Sequence, residues 1–236
     1  MPRAKWDIES ERKFEGGTDR GMIYYIDANG DYSDGEAWNG LTSVDDSPSG
    51  GEATAFWADN IKYAELMSTE EWAGTVNAYT YPPRFGQCDG SYELTPGVTI
   101  GQQERKSFGF SYRTKVGNAR DGWTNYIVHL VYGCKAAPSQ KTYNTINDSV
   151  EIAEFSWSIT TTPVEVPNKK PTASLDIDYS KLTEAAITAI ETVLYGQDAV
   201  EADVEHNIEA QADVKPRLPL PAEVAQIISE ATNAAG

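Results

Sequence analysis

The residues best placed to do chemistry are acids. Residues 26–36, IDANGDYSDGE, crowd carboxylates and one Asn around two glycines. Calcium is the first chemistry to test, because an EF-hand loop needs oxygen ligands at its first, third and fifth positions, glycine at the sixth and glutamate at the twelfth. Counting from Asp27, Asn29 and Asp31 fit, but Tyr32 takes the glycine position and Trp38 the glutamate position. No EF-hand results. Asn29-Gly30 is instead the favoured dipeptide of a type I′ hairpin turn. It lies between Met22–Asp27 and Glu36–Val44, both rich in strand formers.

Other candidate centres fail on spacing. His129 and His206 are the only histidines; the first falls in an apolar segment, as a satisfied core histidine does, and the second in an acidic stretch. Neither has the neighbours of a metal site or of a Ser/His or Cys/His pair. Asp45-Asp46 and Glu70-Glu71 are adjacent acid pairs, which suits loop solvation for the first and the opening turn of a short helix for the second. Gly97–Gly101 resembles a phosphate loop only in its glycines, since no Lys-Ser/Thr follows and no helix opens. Trp38, Trp57, Trp72 and Trp123 could stack on a sugar, but core or subunit packing explains them as well. Cys88 and Cys134 are too few for a disulfide framework or a zinc site; free thiols are expected, with a single bridge between the two as the alternative. No enzyme signature, cofactor site or metal site is expected.

Composition narrows the partners. The chain of 236 residues carries 36 acidic against 19 basic residues, a formal charge of −17. That opposes gripping nucleic acid or an anionic membrane surface. No run of apolar residues is long enough to span a bilayer, and residues 1–10 lack the apolar core of a secretory signal. Synthesis in a cytosol is expected.

The elements that would hold these residues are mostly strands. Residues 107–116 alternate, with Phe108, Phe110, Tyr112, Thr114 and Val116 on one face. Ser107, Gly109, Ser111, Arg113 and Lys115 fall on the other, expected to be wet. Residues 151–160 alternate likewise, with Phe155, Trp157 and Ile159 inward. Residues 125–132 are apolar in both phases, as in a strand covered on both faces. Further strands are expected at 61–67, 75–81 and 173–178. One amphipathic helix carries Leu182, Ala186, Ile187, Ile190, Val193 and Leu194 on one stripe, with Thr183 or Ser180 to cap it and Gly196 to end it. The expected fold is mainly β, a β-sandwich or barrel flanked by that one helix.

Two segments read as loops or arms. Residues 42–54 (TSVDDSPSGGEAT) have a loop's composition, and Ser47, Pro48, Gly50 and Gly51 make them candidates for intermolecular contact. Residues 197–214 are acidic and without period; 215–221 are proline-spaced and extended; a short helix follows, opened by Pro221. The expected division is a β domain at 1–196 and a linker with a docking arm at 197–236, the arm seating on another copy or, as the alternative, back on its own domain. Leu218, Leu220, Val224, Ile227 and Ile228 are its candidate apolar anchors.

Specific strings then matter more than period. KWDIESERKFEGGTDRGMIYYID (5–27), GEAWNGLTSV (35–44), ADNIKY (58–63), YPPRFGQCDGS (81–91) and PGVTIGQQERKSFGFSYRTKVGN (96–118) carry a resemblance. LVYGCKAAPSQKTYNTINDSVE (130–151), FSWSITTTPVEV (155–166) and LPLPAEVAQII (218–228) continue it. In these strings the chain resembles the major tail proteins of siphophages, phages with long non-contractile tails. The resemblance implies a β-sandwich or barrel flanked by a helix, assembled into rings, usually hexameric, that stack into a tail tube. It implies as partners other copies of the chain, the tape measure, tail tip and tail terminator proteins, and phage DNA passing through the lumen without specific binding. The place would be the virion tail, after synthesis in the host bacterial cytoplasm. A carbohydrate- or receptor-binding β-sandwich of a virion and a hydrolase stand as alternatives.

Overall fold

The computed structural model describes residues 6–139, 141–145, 152–199 and 212–234. Twelve strands are present among them: β1 Lys13–Ile26, β2 Tyr32–Trp38, β3 Leu41–Asp46, β4 Ala53–Ala58, β5 Ile61–Met67, β6 Ala73–Ala78, β7 Tyr92–Thr95, β8 Val98–Ile100, β9 Phe108–Asn118, β10 Gly122–Ala136, β11 Phe155–Thr160 and β12 Ser174–Asp178. Three α-helices accompany them: the single turn α1 Gly86–Asp89, α2 Glu184–Tyr195 and α3 Pro221–Ala234. The fold is mainly β, and every strand pair is antiparallel.

The main sheet runs β2-β1-β9-β10-β11-β6-β3, with β12 also on β10. β10 is the corner. Its middle pairs with β12 through Ile127–Val131, while its end pairs with β11 through Lys135 and Ala136. Between them Gly133 takes φ +59, and a side chain there would meet the Thr162 carbonyl at 2.2 Å. A residue without Cβ therefore lets the strand bend from one layer into the next.

Strand alternation divides the interior into two cores. Ile23, Tyr25, Phe108, Phe110, Val131 and Cys134 face Trp157, Ile159, Val76 and Ala78 of the second layer. Met22, Tyr24, Val128, Leu130, Tyr132 and Ile177 point the other way, onto Ile190 and Leu194 of α2. Thr183 caps α2 by accepting from the Ala186 N–H, and Gly196 ends it at φ +80. The second helix face is α3, which adds Val224 to the same core.

Four expectations are corrected here. The polar phase of β9 is not wet: Ser111 is fully buried and pairs with the Tyr24 hydroxyl at 3.1 Å, and Gly109 lies under Leu218. The helices cover the face that alternation alone assigns to solvent. The docking arm is the second correction, since residues 216–224 belong to the domain. The Leu218 N–H donates to the Tyr32 carbonyl at 3.1 Å and the Gly35 N–H to the Pro216 carbonyl at 2.9 Å, so the segment covers the outer edge of β2. Gly109 makes room for it, because a Cβ there would sit 2.5 Å from the Leu218 side chain. Thirdly, residues 42–54 are mostly strand, in β3 and the start of β4. Glu70-Glu71 opens no helix; Glu71 bridges to Ser49 instead.

The turn at Asn29-Gly30 joins β1 to β2 as expected, but only Gly30 has positive φ, at 93°. The Asp27 carboxylate accepts from the N–H groups of Asn29 and Asp31 at 2.8 and 3.1 Å. That local capture closes a longer turn than type I′. His206 lies outside the described residues.

Candidate assembly surface

Beyond the two cores, apolar side chains concentrate on two hairpins that leave the main sheet. β3 and β6 pair up to Asp46 opposite Gly74; Ser49 then bridges Glu71, and β4 pairs with β5 from Ala53 opposite Met67 to Ala58 opposite Ile61. These pairings form one ribbon. At a strand rise of about 3.3 Å per residue, its contour beyond Asp46 is roughly 40 Å. Its tip is Asp59-Asn60, both at positive φ (50° and 63°), the backbone of a type I′ turn.

The ribbon's outer half is exposed and apolar. Phe56, Trp57, Ile61, Tyr63, Leu66 and Met67 keep between 49% and 77% of their surface in water. Cross-strand partners share a face. Thr54 opposes Leu66, Phe56 opposes Ala64 and Ala58 opposes Ile61, and these pairs alternate along β4. One face is therefore Thr54, Phe56, Ala58, Ile61, Ala64 and Leu66, without a charge. The other carries Trp57 and Met67 beside the Lys62–Glu65 ion pair.

The second hairpin is β7–β8, turned at Gly97, whose N–H donates to the Glu93 carboxylate at 2.9 Å. Tyr92 opposes Ile100, so Tyr92, Leu94, Val98 and Ile100 share a face. All four are exposed. Its other face carries Glu93 and Thr99; past a register shift, Thr95 pairs with Val98 on the apolar face.

The residues expected to make contacts are distributed differently. Ser47 and Pro48 are exposed at the ribbon's midpoint, where the Ser47 N–H donates to the Ala73 carbonyl at 2.8 Å. Gly50 and Gly51 follow at φ 82° and 72°, and a Cβ on Gly50 would meet the Thr69 carbonyl at 2.2 Å. They form the irregular joint between the ribbon's two halves. Leu218 and Val224 are buried in the chain's own core, Ile227 and Ile228 are half-buried against it, and Leu220 alone of the five is exposed. The joint lies beside the exposed surface, whereas most of the C-terminal anchors are occupied internally. The sequence reading missed Phe56, Leu66, Leu94 and their neighbours. Short apolar runs ordinarily mark buried strands; the signal was the Asp59-Asn60 turn dipeptide between two of them.

Polar clusters elsewhere have structural roles. Arg113 grips Asp19 with two hydrogen bonds of 2.7 and 3.0 Å and lies 3.9 Å over the Tyr126 ring. The Arg113 hydrogen bonds hold the Asp19 carboxyl below its usual range. Next to this pair, Asp19, Arg20, Met22, Trp38, Leu41 and Tyr195 line a cavity of about 630 Å³. His129 stacks on Tyr112 at 4.6 Å, with Nδ1 2.8 Å from Asp176 and Nε2 2.9 Å from the Thr114 hydroxyl. Hydroxyl, imidazole and carboxylate in series is the order of a nucleophilic hydrolase. Here the Thr114 hydroxyl also donates to Glu15, and the group lies across three paired strands rather than in the cavity beside Asp19. It ties β9, β10 and β12 together. Trp38 and Trp72 are buried, whereas Trp57 and Trp123 are 69% and 55% exposed. Among the described residues there is no metal-binding cluster of His, Cys, Asp and Glu. No described helix is long and apolar enough to cross a membrane.

No protein-family model and no curated protein matches the chain.

Proposed function

We propose that this chain is the structural subunit of a siphophage tail tube, self-assembling into stacked rings around a channel for DNA. The observation that carries the reading is the β3–β6 ribbon, which ends in the exposed apolar hairpin β4–β5. A two-stranded hairpin is marginal alone in water, and an apolar patch of this kind marks a surface for another molecule. The resemblance of the strings above to major tail proteins names that molecule as another copy.

The charge supports a conduit. A hexameric ring would carry six times the −17 of each chain. Wall charges act on DNA only within about 8 Å at physiological salt, yet a chain this acidic offers little to hold a polyanion. The chain's role is a passive channel, made in the host and carried in the virion tail. Tape measure, tail tip and tail terminator proteins are its further proposed partners.

The alternative, a glycan- or receptor-binding module, draws on exposed Trp57 and Trp123. Trp123 is engaged edge-on by Phe14 at 4.9 Å, which leaves Trp57 as the freer ring. Light scattering on the wild type and on Phe56→Asp separates the two. Tube assembly requires large particles from the first and monomers from the second. Monomers from both, with a glycan binding through Trp57, would support the alternative.

A further inference from the structure

We infer that the apolar face of β4–β5 in one copy seats on the apolar face of β7–β8 in another, closing a small intermolecular β-sandwich. The inference rests on the self-assembly reading above only in taking a second copy as the partner.

Each hairpin is a two-stranded sheet with one uncharged apolar face: Thr54, Phe56, Ala58, Ile61, Ala64 and Leu66 on the first, Tyr92, Leu94, Val98 and Ile100 on the second. Sheets with one such face are stable when it packs against another layer. Within one chain the two faces do not cover each other: Leu66 remains 62% and Leu94 64% exposed. The missing layer must come from outside.

Charge selects which surfaces can meet. Two copies each carrying −17 repel over most of their surface. The two uncharged faces can approach without bringing carboxylates together, and Glu93 and the Lys62–Glu65 pair remain on the outward faces.

Area sets the strength. With large side chains presenting on the order of 150–250 Å² each, either face exposes roughly 400 Å². Joining them buries about 800 Å², less than the ~1,200 Å² of a stable isolated pair. The contact is thus weak singly and strong when repeated. Because it joins two different patches, each copy makes it twice, once with each hairpin. Head-to-tail contacts of this kind propagate into rings or filaments, and the repetition supplies the missing affinity.

The test uses the full chain in two forms that each gain one cysteine, Leu66→Cys and Leu94→Cys. The native thiols are buried and free, so they do not compete. Circular dichroism checks that both variants fold. On mixing under mild oxidation, disulfide dimers should form between the two variants and not within either one. Leu66→Lys alone should raise the concentration needed for assembly about tenfold or more, the cost of a charge at an apolar contact, and adding Leu94→Glu should restore it. Homodimers of Leu66→Cys would overturn the pairing in favour of a two-fold contact of ribbon on ribbon. Rings or tubes without mixed disulfides would overturn it and leave the tube reading standing. Mixed disulfides from protein that never forms rings or tubes would uphold the pairing and overturn the tube. Neither disulfides nor particles would overturn both.

Discussion

Arg113 illustrates how far one residue's environment departs from its position in a pattern. It falls in the polar phase of β9, yet it is nearly buried and paired with Asp19, which is itself about one-third exposed. Asp19 has its pKa lowered chiefly by the Arg113 hydrogen bonds. Its contribution is therefore present above the unfolded-state value of about 3.9 and is lost as pH falls through the lower folded-state value. Asp19→Asn should cost about 1–2 kcal/mol at neutral pH, discounted for Asp19's exposure. The deficit should begin to shrink below pH ~4, where the unfolded-state carboxylate takes up a proton, and vanish only below the lower folded-state value. Denaturant melts at both pH values measure this; an equal deficit at both would exclude the ion pair as its cause. Cys88 makes a second residue-scale test. Burial pushes its thiol up to about 12, and Cys134 is raised by the same cause. Neither should react with a maleimide in the native protein, and both should react once it is unfolded.

At the scale of elements, the C-terminal segment decides whether there is one folding unit or two. Leu218 is 3% exposed beneath α2 and α3, whereas Leu220 is 43% exposed. Leu218→Ala should cost about 2–4 kcal/mol, and Leu220→Ala within about 0.5 kcal/mol. Equal, small losses would show that residues 218–228 are an appendage after all. What was legible beforehand follows the same division. Strong periods reported themselves: α2, with Thr183 and Gly196 at its ends, and β10, apolar on both phases, lie where their patterns placed them. Where the outcome depended on a distant partner, local pattern failed. Ser111 looks like a solvent residue unless Tyr24 is known to stand over it. The proline-spaced stretch looks like a tether unless Gly109 is known to leave a slot for Leu218. The glycines and serines at 47–51 look like a loop, but they are the joint of a ribbon whose pairing resumes at Ala53. The exposed faces of that ribbon and of β7–β8 were the least legible, because apolar runs carry no mark of what covers them.

For the whole molecule, an acidic body presents two hairpins, each with one uncharged apolar face. A monomer gains nothing from keeping Phe56, Trp57, Tyr63 and Met67 in water. An assembling subunit does, because burial of those side chains at ~25 cal/mol per Å² is withheld until copies meet. Replacing residues 53–67 with a short turn should accordingly leave the melting temperature of the body within about 4 °C of wild type while abolishing assembly. A body that unfolds without the ribbon would make the hairpin part of the core's support rather than an assembly device. The most direct measurement is negative-stain electron microscopy of the purified full chain across a concentration series, with the mass from light scattering beside it. The account predicts a monomer when dilute and stacked rings or hollow tubes when concentrated. A strictly monomeric particle at every concentration, unchanged by long incubation, would contradict it.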